Sequence, residues 1–157
     1  MLPLDIFETV IKSTALISID IIVRNNKNQI LLGKRTNRPA KNFWFVPGGR
    51  ILKNETFEVA FKRLIQSELG LTETVESKFK GVYQHFYDDN FASNNSTTHY
   101  VVLAYEINFN GKLSSLPKEQ HSDYKLFAQD ELLSNEQVHK HTKWYFQSDK
   151  QADRLFK

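Results

Sequence analysis

The sequence predicts a mixed α/β sandwich, with strands on both sides of one central helix and a second helix near the C-terminus. Three observations carry this. Ala15–Arg24 is β-rich, with Ile17, Ile19, Ile21 and Val23 on one face and Leu16, Ser18, Asp20 and Ile22 on the other. Residues 54–70 have helical spacing, with apolar residues at Phe57, Ala60, Phe61, Leu64 and Leu69. Phe79–Tyr87 and Thr97–Phe109 then read as two long strands. Strand and helix do not alternate regularly, so a doubly wound parallel sheet is not expected.

The central helix has clear ends. Asn54 is a suitable N-cap, Glu55 and Glu58 suit the first turn, and Gly70 suits the C-terminal stop. Glu68 does not fit. At about 100° per residue it projects roughly 20° from Phe57, inside the apolar stripe. A carboxylate there is costly unless a cation or several donors meet it. It is a buried acid paired with an arginine, a metal ligand or a catalytic base.

The other segments follow in order. Residues 3–13 read as a short helix with Ile6, Phe7 and Val10 on one side. Asn25–Asn28 is a turn, and Gln29–Gly33 returns as a strand. Lys34–Asn42 is a basic loop, Phe43–Val46 a short strand with Trp44 in the core, and Pro47-Gly48-Gly49 a glycine turn. Asp88–Ser96 is a polar loop, Leu113–Ser122 is irregular, and Tyr124–Ala128 is a short strand. Gln129–Leu133 and Gln137–Gln147 read as helices, with His139 and His141 as surface histidines.

Composition bounds the function. At 157 residues the chain suits one domain, residues 1–157, with a sizeable core. Its net charge of +3 is small and its basic residues are scattered, which argues against a nucleic-acid partner. The absence of cysteine excludes disulfides, thiol nucleophiles and cysteine zinc sites. No apolar run has the length of a membrane span. Asp5, Glu8, Lys12 and Asp20 interrupt any signal-peptide core, so a cytoplasmic location is expected.

Two familiar phosphate devices are missing. Gly48-Gly49-Arg50 lacks a P-loop ending, and no G-x-G-x-x-G follows a strand. What remains is a glycine turn followed by Arg50, a stripe carboxylate, and the basic residues Lys34, Arg35 and Arg38. Mg²⁺ takes oxygen ligands, typically one or two carboxylates plus substrate phosphates, and arginines suit bidentate phosphate contacts. The set asks for a diphosphate with a divalent metal.

Leu31-Leu32-Gly33-Lys34-Arg35, Trp44-Phe45-Val46-Pro47-Gly48-Gly49 and the helix after them resemble the Nudix hydrolases. The family box is G, five residues, E, seven residues, then R-E-U-x-E-E-x-G-U, with U bulky and apolar. Gly49, Glu55, Arg63, Ile65, Glu68, Gly70 and Leu71 stand at its positions. Leu64 and Ser67 replace two of its glutamates, which normally help to hold several metals and activate water. The same losses mark the GDP-mannose mannosyl hydrolase branch. The chain resembles that branch along nearly its whole length, through GKRTNRPA, WFVPGGR, QHFYDDNF, TTHYVVL and EQH.

The resemblance implies a Nudix α/β/α sandwich with a mixed central sheet, and Mg²⁺-dependent hydrolysis of GDP-mannose, with GDP-glucose a second substrate and Mn²⁺ a substitute metal. Water would attack the anomeric carbon with inversion. By resemblance His121 is the base, and Gln120, Glu68 and the Gly49 carbonyl ligate the metal. Arg35 and Arg50 bind the diphosphate, and Tyr100 donates to the leaving group. Asp20 and His85 support sugar and nucleotide binding, and Phe86–Asp89 lie where a loop closes on the sugar. Glu55 and Arg63 form a structural ion pair. Asp20 pairing with Arg35, and Tyr100 simply packing, are the rival readings. A homodimer is also implied. The alternatives are an ordinary Nudix pyrophosphohydrolase attacking phosphorus, and a domain that binds a nucleotide sugar without turnover.

Overall fold

The computed structural model describes residues 2–89 and 96–153. The polar loop expected at Asp88–Ser96 lies largely outside the described residues. A seven-stranded sheet organises the rest, with strand order β3-β2-β1-β6-β5. Its members are β1 (Leu16–Arg24), β2 (Ile30–Arg35), β3 (Trp44–Phe45), β4 (Gly48–Arg50), β5 (Ser77–Tyr87), β6 (Thr98–Asn108) and β7 (His121–Phe127). The fourth strand pairs with β1 and the seventh with β2. The β1–β6 pair is parallel from Leu16↔Tyr100 to Arg24↔Asn108, while the other pairs are antiparallel. The sheet is therefore mixed, as the Nudix resemblance implies.

Both faces of β1 are covered. Ile19, Ile21 and Val23 pack with Ala60, Leu64, Ile65 and Leu69 of α2 (Phe57–Leu69). Ile22 packs on the other side with Trp44, Phe127, Val138 and Phe146, and with Leu132 of α3 (Gln129–Ser134). Period-two alternation thus feeds two cores from one strand. Ile17, which shares a face with Ile19, Ile21 and Val23 in the sequence pattern, is 51% exposed and belongs to neither core. Among the described residues no helix is long and apolar enough to cross a membrane.

The structure corrects several boundaries. In α1 (Leu4–Ser13), Phe7 and Ile11 face inward while Ile6 is exposed, because the helix docks beside Leu16 and Tyr100 on one narrow stripe. Gly48-Gly49-Arg50 is itself a strand and not only a turn. A Cβ on Gly48 would stand 2.4 Å from the Ile19 carbonyl oxygen, so a glycine lets the strand close on β1. The last expected helix shrinks to α4 (Lys140–Trp144), because Val138 bridges to Trp44 in extended form.

The central helix keeps its predicted stop, with Gly70 left-handed at φ 70. Its cap is Thr56, whose side chain accepts from the Val59 amide; Asn54 instead takes a left-handed turn at φ 71. Phe57, counted in the apolar stripe, is 59% exposed, and Ile65 is buried instead. Arg63 makes two hydrogen bonds to Glu55, at 2.6 and 2.9 Å, and a third to the Arg50 carbonyl. The expected brace between loop and helix is therefore present.

Thr56→Ala should lower stability by about 1 kcal/mol, as loss of an N-cap does, whereas Asn54→Gly should leave it level or slightly higher. Denaturant midpoints of the two variants check this. Equal losses would contradict the assignment of the cap.

Candidate functional site

The site begins with Glu68. It is 4% exposed, and its Oε2 lies 3.0 Å from Nε2 of His121, itself 3% exposed. The partner that the stripe carboxylate demanded is thus an imidazole. His121 was expected on a loop, but it is the first residue of β7, opposite Arg35 across a bulge. Gly33 makes room for it: a Cβ there would sit 2.3 Å from His121 Nδ1. That ring nitrogen is buried with no hydrogen-bond partner among the described residues. Gln120, the residue before, is exposed, and its backbone carbonyl accepts from the Thr36 hydroxyl at 3.1 Å.

Leu64 explains what the altered box does physically. It is 3% exposed in the α2 core, and its Cδ2 lies 2.6 Å from where a Cβ on Gly49 would be. An apolar side chain therefore fills the space beneath Gly49 that a second carboxylate would need. Ser67 turns its hydroxyl to the Leu64 carbonyl, an ordinary helix back-bond.

A second group forms on the other face of the sheet. Asp20 shares strand parity with Ile22 and is 7% exposed. Its Oδ2 accepts a 2.5 Å hydrogen bond from the Tyr145 hydroxyl, which lies 3.4 Å from His85 Nε2. Burial raises the Asp20 carboxyl from 3.8 to about 7, against the opposing pull of the Tyr145 hydrogen bond and the Arg35 charge. Among the described residues no ion pair joins Asp20 to Arg35; the arginine acts through space. Arg35 Nε is buried without a hydrogen-bond partner among the described residues, and its guanidinium lies 5.7 Å from the Phe45 ring centre.

His85 is 1% exposed and stacks on His141, with ring centres 4.2 Å apart. His141 is also 1% exposed, which corrects its reading as a surface histidine, and His139 is partly buried beside it. The short α4 folds back over the sheet and carries both inward. Burial depresses all three imidazoles, His85 to about 3, His139 to about 4 and His141 to about 2, so they stay neutral at physiological pH. Tyr100 faces His85 across the β5–β6 pair and packs beside Phe7, Ile11 and Leu16. Burial raises its phenol pKa, so it remains a proton donor. Arg50 lies over the Phe7 ring at 4.0 Å. Phe86 is exposed and stacked on His99, with ring centres 4.3 Å apart.

The expected residues therefore fall into two groups. Glu68 and His121 lie on the α2 side. Asp20, His85 and Tyr100 lie toward the other side, and β4 joins the two: Gly49 meets Leu64 while Gly48 meets Asp20. Two contributors escaped the sequence reading. Gly33 had a signal, since a glycine inside a strand marks close approach. Tyr145 had none, standing 125 residues from its partner.

The residues fit Mg²⁺ only in company with a substrate. Among the described residues no three His, Asp or Glu side chains gather into a metal cage. The ligands that the resemblance implies, Glu68, the Gly49 carbonyl and the Gln120 amide, are all oxygen donors with a single carboxylate. A hard cation held mainly by substrate phosphates suits such a set. Arg35 Nε, unpartnered among the described residues, suits the same anion.

Asp20 sets a pH dependence. Its folded pKa lies above the unfolded value, so the unfolded chain releases its proton first and stability falls as pH rises from about 4 to about 7. The shift corresponds to about 4 kcal/mol when the group is fully ionised. Asp20→Asn should therefore gain stability relative to wild type across that range, measured by denaturant unfolding at pH 4 and pH 8. A pH-independent difference would contradict a buried, hard-to-ionise carboxyl.

Known proteins agree with this architecture. Residues 15–148 match the NUDIX domain family. The low-salt glycan biosynthesis protein Agl8 of Haloferax volcanii is 36% identical over 126 residues, which cover 80% of this chain and 79% of that protein. A MutT protein from Methanosarcina mazei Go1 aligns with a TM-score of 0.70 at 17% identity, over 87% of this chain and 94% of that one. The NUDIX domain of Shewanella oneidensis NrtR, solved with ADP ribose, aligns at a TM-score of 0.63 and 16% identity, over 90% and 92% of the two chains. With its fold, its box spacing and the match across residues 15–148, the chain belongs to the Nudix family.

Proposed function

We propose that this protein hydrolyses GDP-mannose, and GDP-glucose as a second sugar, to GDP and the free sugar, by attack of water at the anomeric carbon with inversion. The observation that carries the reading is the Glu68–His121 contact beside a Leu64 that fills the place of a second carboxylate. With Glu55 paired to Arg63, Glu68 is the one box carboxylate left for a metal, and a multi-metal centre that activates water at phosphorus lacks ligands. An imidazole within reach of that carboxylate offers a base instead. The relation to a glycan biosynthesis protein adds support, since nucleotide sugars are the donors of glycan synthesis.

Each residue then has a task. His121 takes the proton of the attacking water, a role suited to imidazole near neutral pH. Glu68, the Gly49 carbonyl and Gln120 would hold the metal. Bound Mg²⁺ would supply positive charge to the diphosphate leaving group. Arg35 and Arg50 bind that diphosphate, with Arg35 Nε buried and lacking an acceptor among the described residues. Tyr100 donates a hydrogen bond to the departing oxygen, and Asp20 and His85 meet the sugar. The diphosphate leaves readily once neutralised, so no carboxylic acid is needed to protonate it, unlike in ordinary glycoside hydrolysis. For Glu68 and His121 to serve separate roles, their 3.0 Å contact must open when substrate binds. The resemblance also points to a homodimer.

Family membership alone favours a second reading, attack at phosphorus, and the products separate the two. Chromatography should find GDP and mannose, with the inverted anomer first by NMR. GMP and mannose 1-phosphate would overturn the proposal and establish an ordinary pyrophosphohydrolase. Binding without any product would leave a nucleotide-sugar-binding domain.

His121→Ala should lower kcat by on the order of 10²–10⁴ with little change in KM, because a base acts mainly in the transition state. Steady-state kinetics checks this. An undiminished kcat at neutral pH would remove His121 from the chemistry.

A further inference from the structure

We infer that Tyr145 is a positioning residue of the site: its hydroxyl anchors the Asp20 carboxylate and ties it to His85, so that both are presented as one fixed hydrogen-bonding edge. The inference rests on the proposal that Asp20 and His85 face the sugar. Three distances carry it. The phenol oxygen is 2.5 Å from Asp20 Oδ2 and 3.4 Å from His85 Nε2, and the Tyr145 ring stands edge-on to Tyr83 with centres 4.8 Å apart. Tyr83 belongs to the core beneath, so the ring is held while its hydroxyl reaches between two buried polar groups.

The chain of donors has one direction. A phenol has one proton, and Asp20 Oδ2 accepts it whether or not the other carboxyl oxygen is protonated, so Tyr145 donates to Asp20. Its oxygen is then left as the acceptor for His85. A neutral His85 accordingly carries its proton on Nε2 and offers Nδ1 as an acceptor. Tyr145 would thereby fix an imidazole tautomer as well as a carboxylate rotamer. Such an edge, carboxylate and ring acceptor in fixed places, suits a substrate presenting hydroxyl donors.

The Tyr145 backbone is itself well placed. Tyr145 caps α4 at its C-terminal end. The preceding segment is fastened to the strand edge by Trp44 N to the Gln137 carbonyl (2.8 Å), His139 N to the Trp44 carbonyl (3.1 Å) and Val46 N to the Thr142 hydroxyl (3.3 Å). The C-terminal segment thus reaches the site through a fixed attachment.

Tyr145→Phe keeps the ring and removes the hydroxyl, so it is the variant to test. It should fold normally by thermal unfolding and lose on the order of 10- to 100-fold in kcat/KM for GDP-mannose, the range expected for one charged hydrogen bond. Calorimetry should show its affinity for GDP nearly unchanged while the GDP-mannose preference narrows. ¹⁵N NMR should show His85 leaving the single Nε2–H tautomer. In an Asp20→Ala background the added Tyr145→Phe should cost little more, because the two act as one unit. An unchanged tautomer with fully additive losses would reduce Tyr145 to a packing residue. The tautomer and the affinities are readable whether or not the wild type releases mannose. A wild type that yields no mannose therefore overturns the functional proposal without deciding the role of Tyr145.

Discussion

A carboxylate on the apolar face of a helix must be met by a partner, and the site is arranged around how Glu68 is met. α2 packs Ala60, Leu64, Ile65 and Leu69 into the core and carries Glu68 in with them. The only side chain bonded to its Oε2 among the described residues is His121. That contact needs β7 to begin early, and Gly33 to leave space where any side chain would strike the imidazole. Break the geometry at any of these points and a buried ionisable group loses its partner, at a cost of several kcal/mol.

The sheet then sets what the two halves of the site can share. Period-two alternation sends Ile19 and Ile21 toward α2, and Asp20 and Ile22 toward the C-terminal segment. Neighbouring residues of one strand therefore serve opposite faces. β4 connects them, because its glycines let it lie close against β1 and meet Leu64 on one side and Asp20 on the other. Leu64 in place of an acid makes the α2 side poor in charge. The Asp20, His85 and Tyr145 side is rich in polar groups that burial keeps hard to ionise. Such a division suits a metal used for the leaving group and neutral donors and acceptors used for the sugar.

Much of this was legible in the sequence where the cause is local. Gly70 stops the helix because the chain turns left-handed there, and Glu55 finds Arg63 two turns away. Glu68 is buried because its spacing puts it in the stripe. The illegible parts depend on distant packing. Asn54 and Thr56 are both good caps, and only the backbone path chooses Thr56. Phe57 has the right spacing but lies beyond what the sheet covers. His141 looks like a surface residue until α4 folds back over β5, and Tyr145 meets Asp20 across most of the chain. The strand character of Gly48–Arg50 was hidden because glycines there permit close pairing as readily as a turn.

The central claim is that losing box carboxylates moves the attack from phosphorus to carbon, with His121 in place of a metal-held hydroxide. Hydrolysis of GDP-mannose in ¹⁸O-water, followed by mass spectrometry of both products, tests it most directly. The label should enter the released mannose and leave GDP unlabelled. Label in a phosphate group would contradict the claim and return the chemistry to the metal.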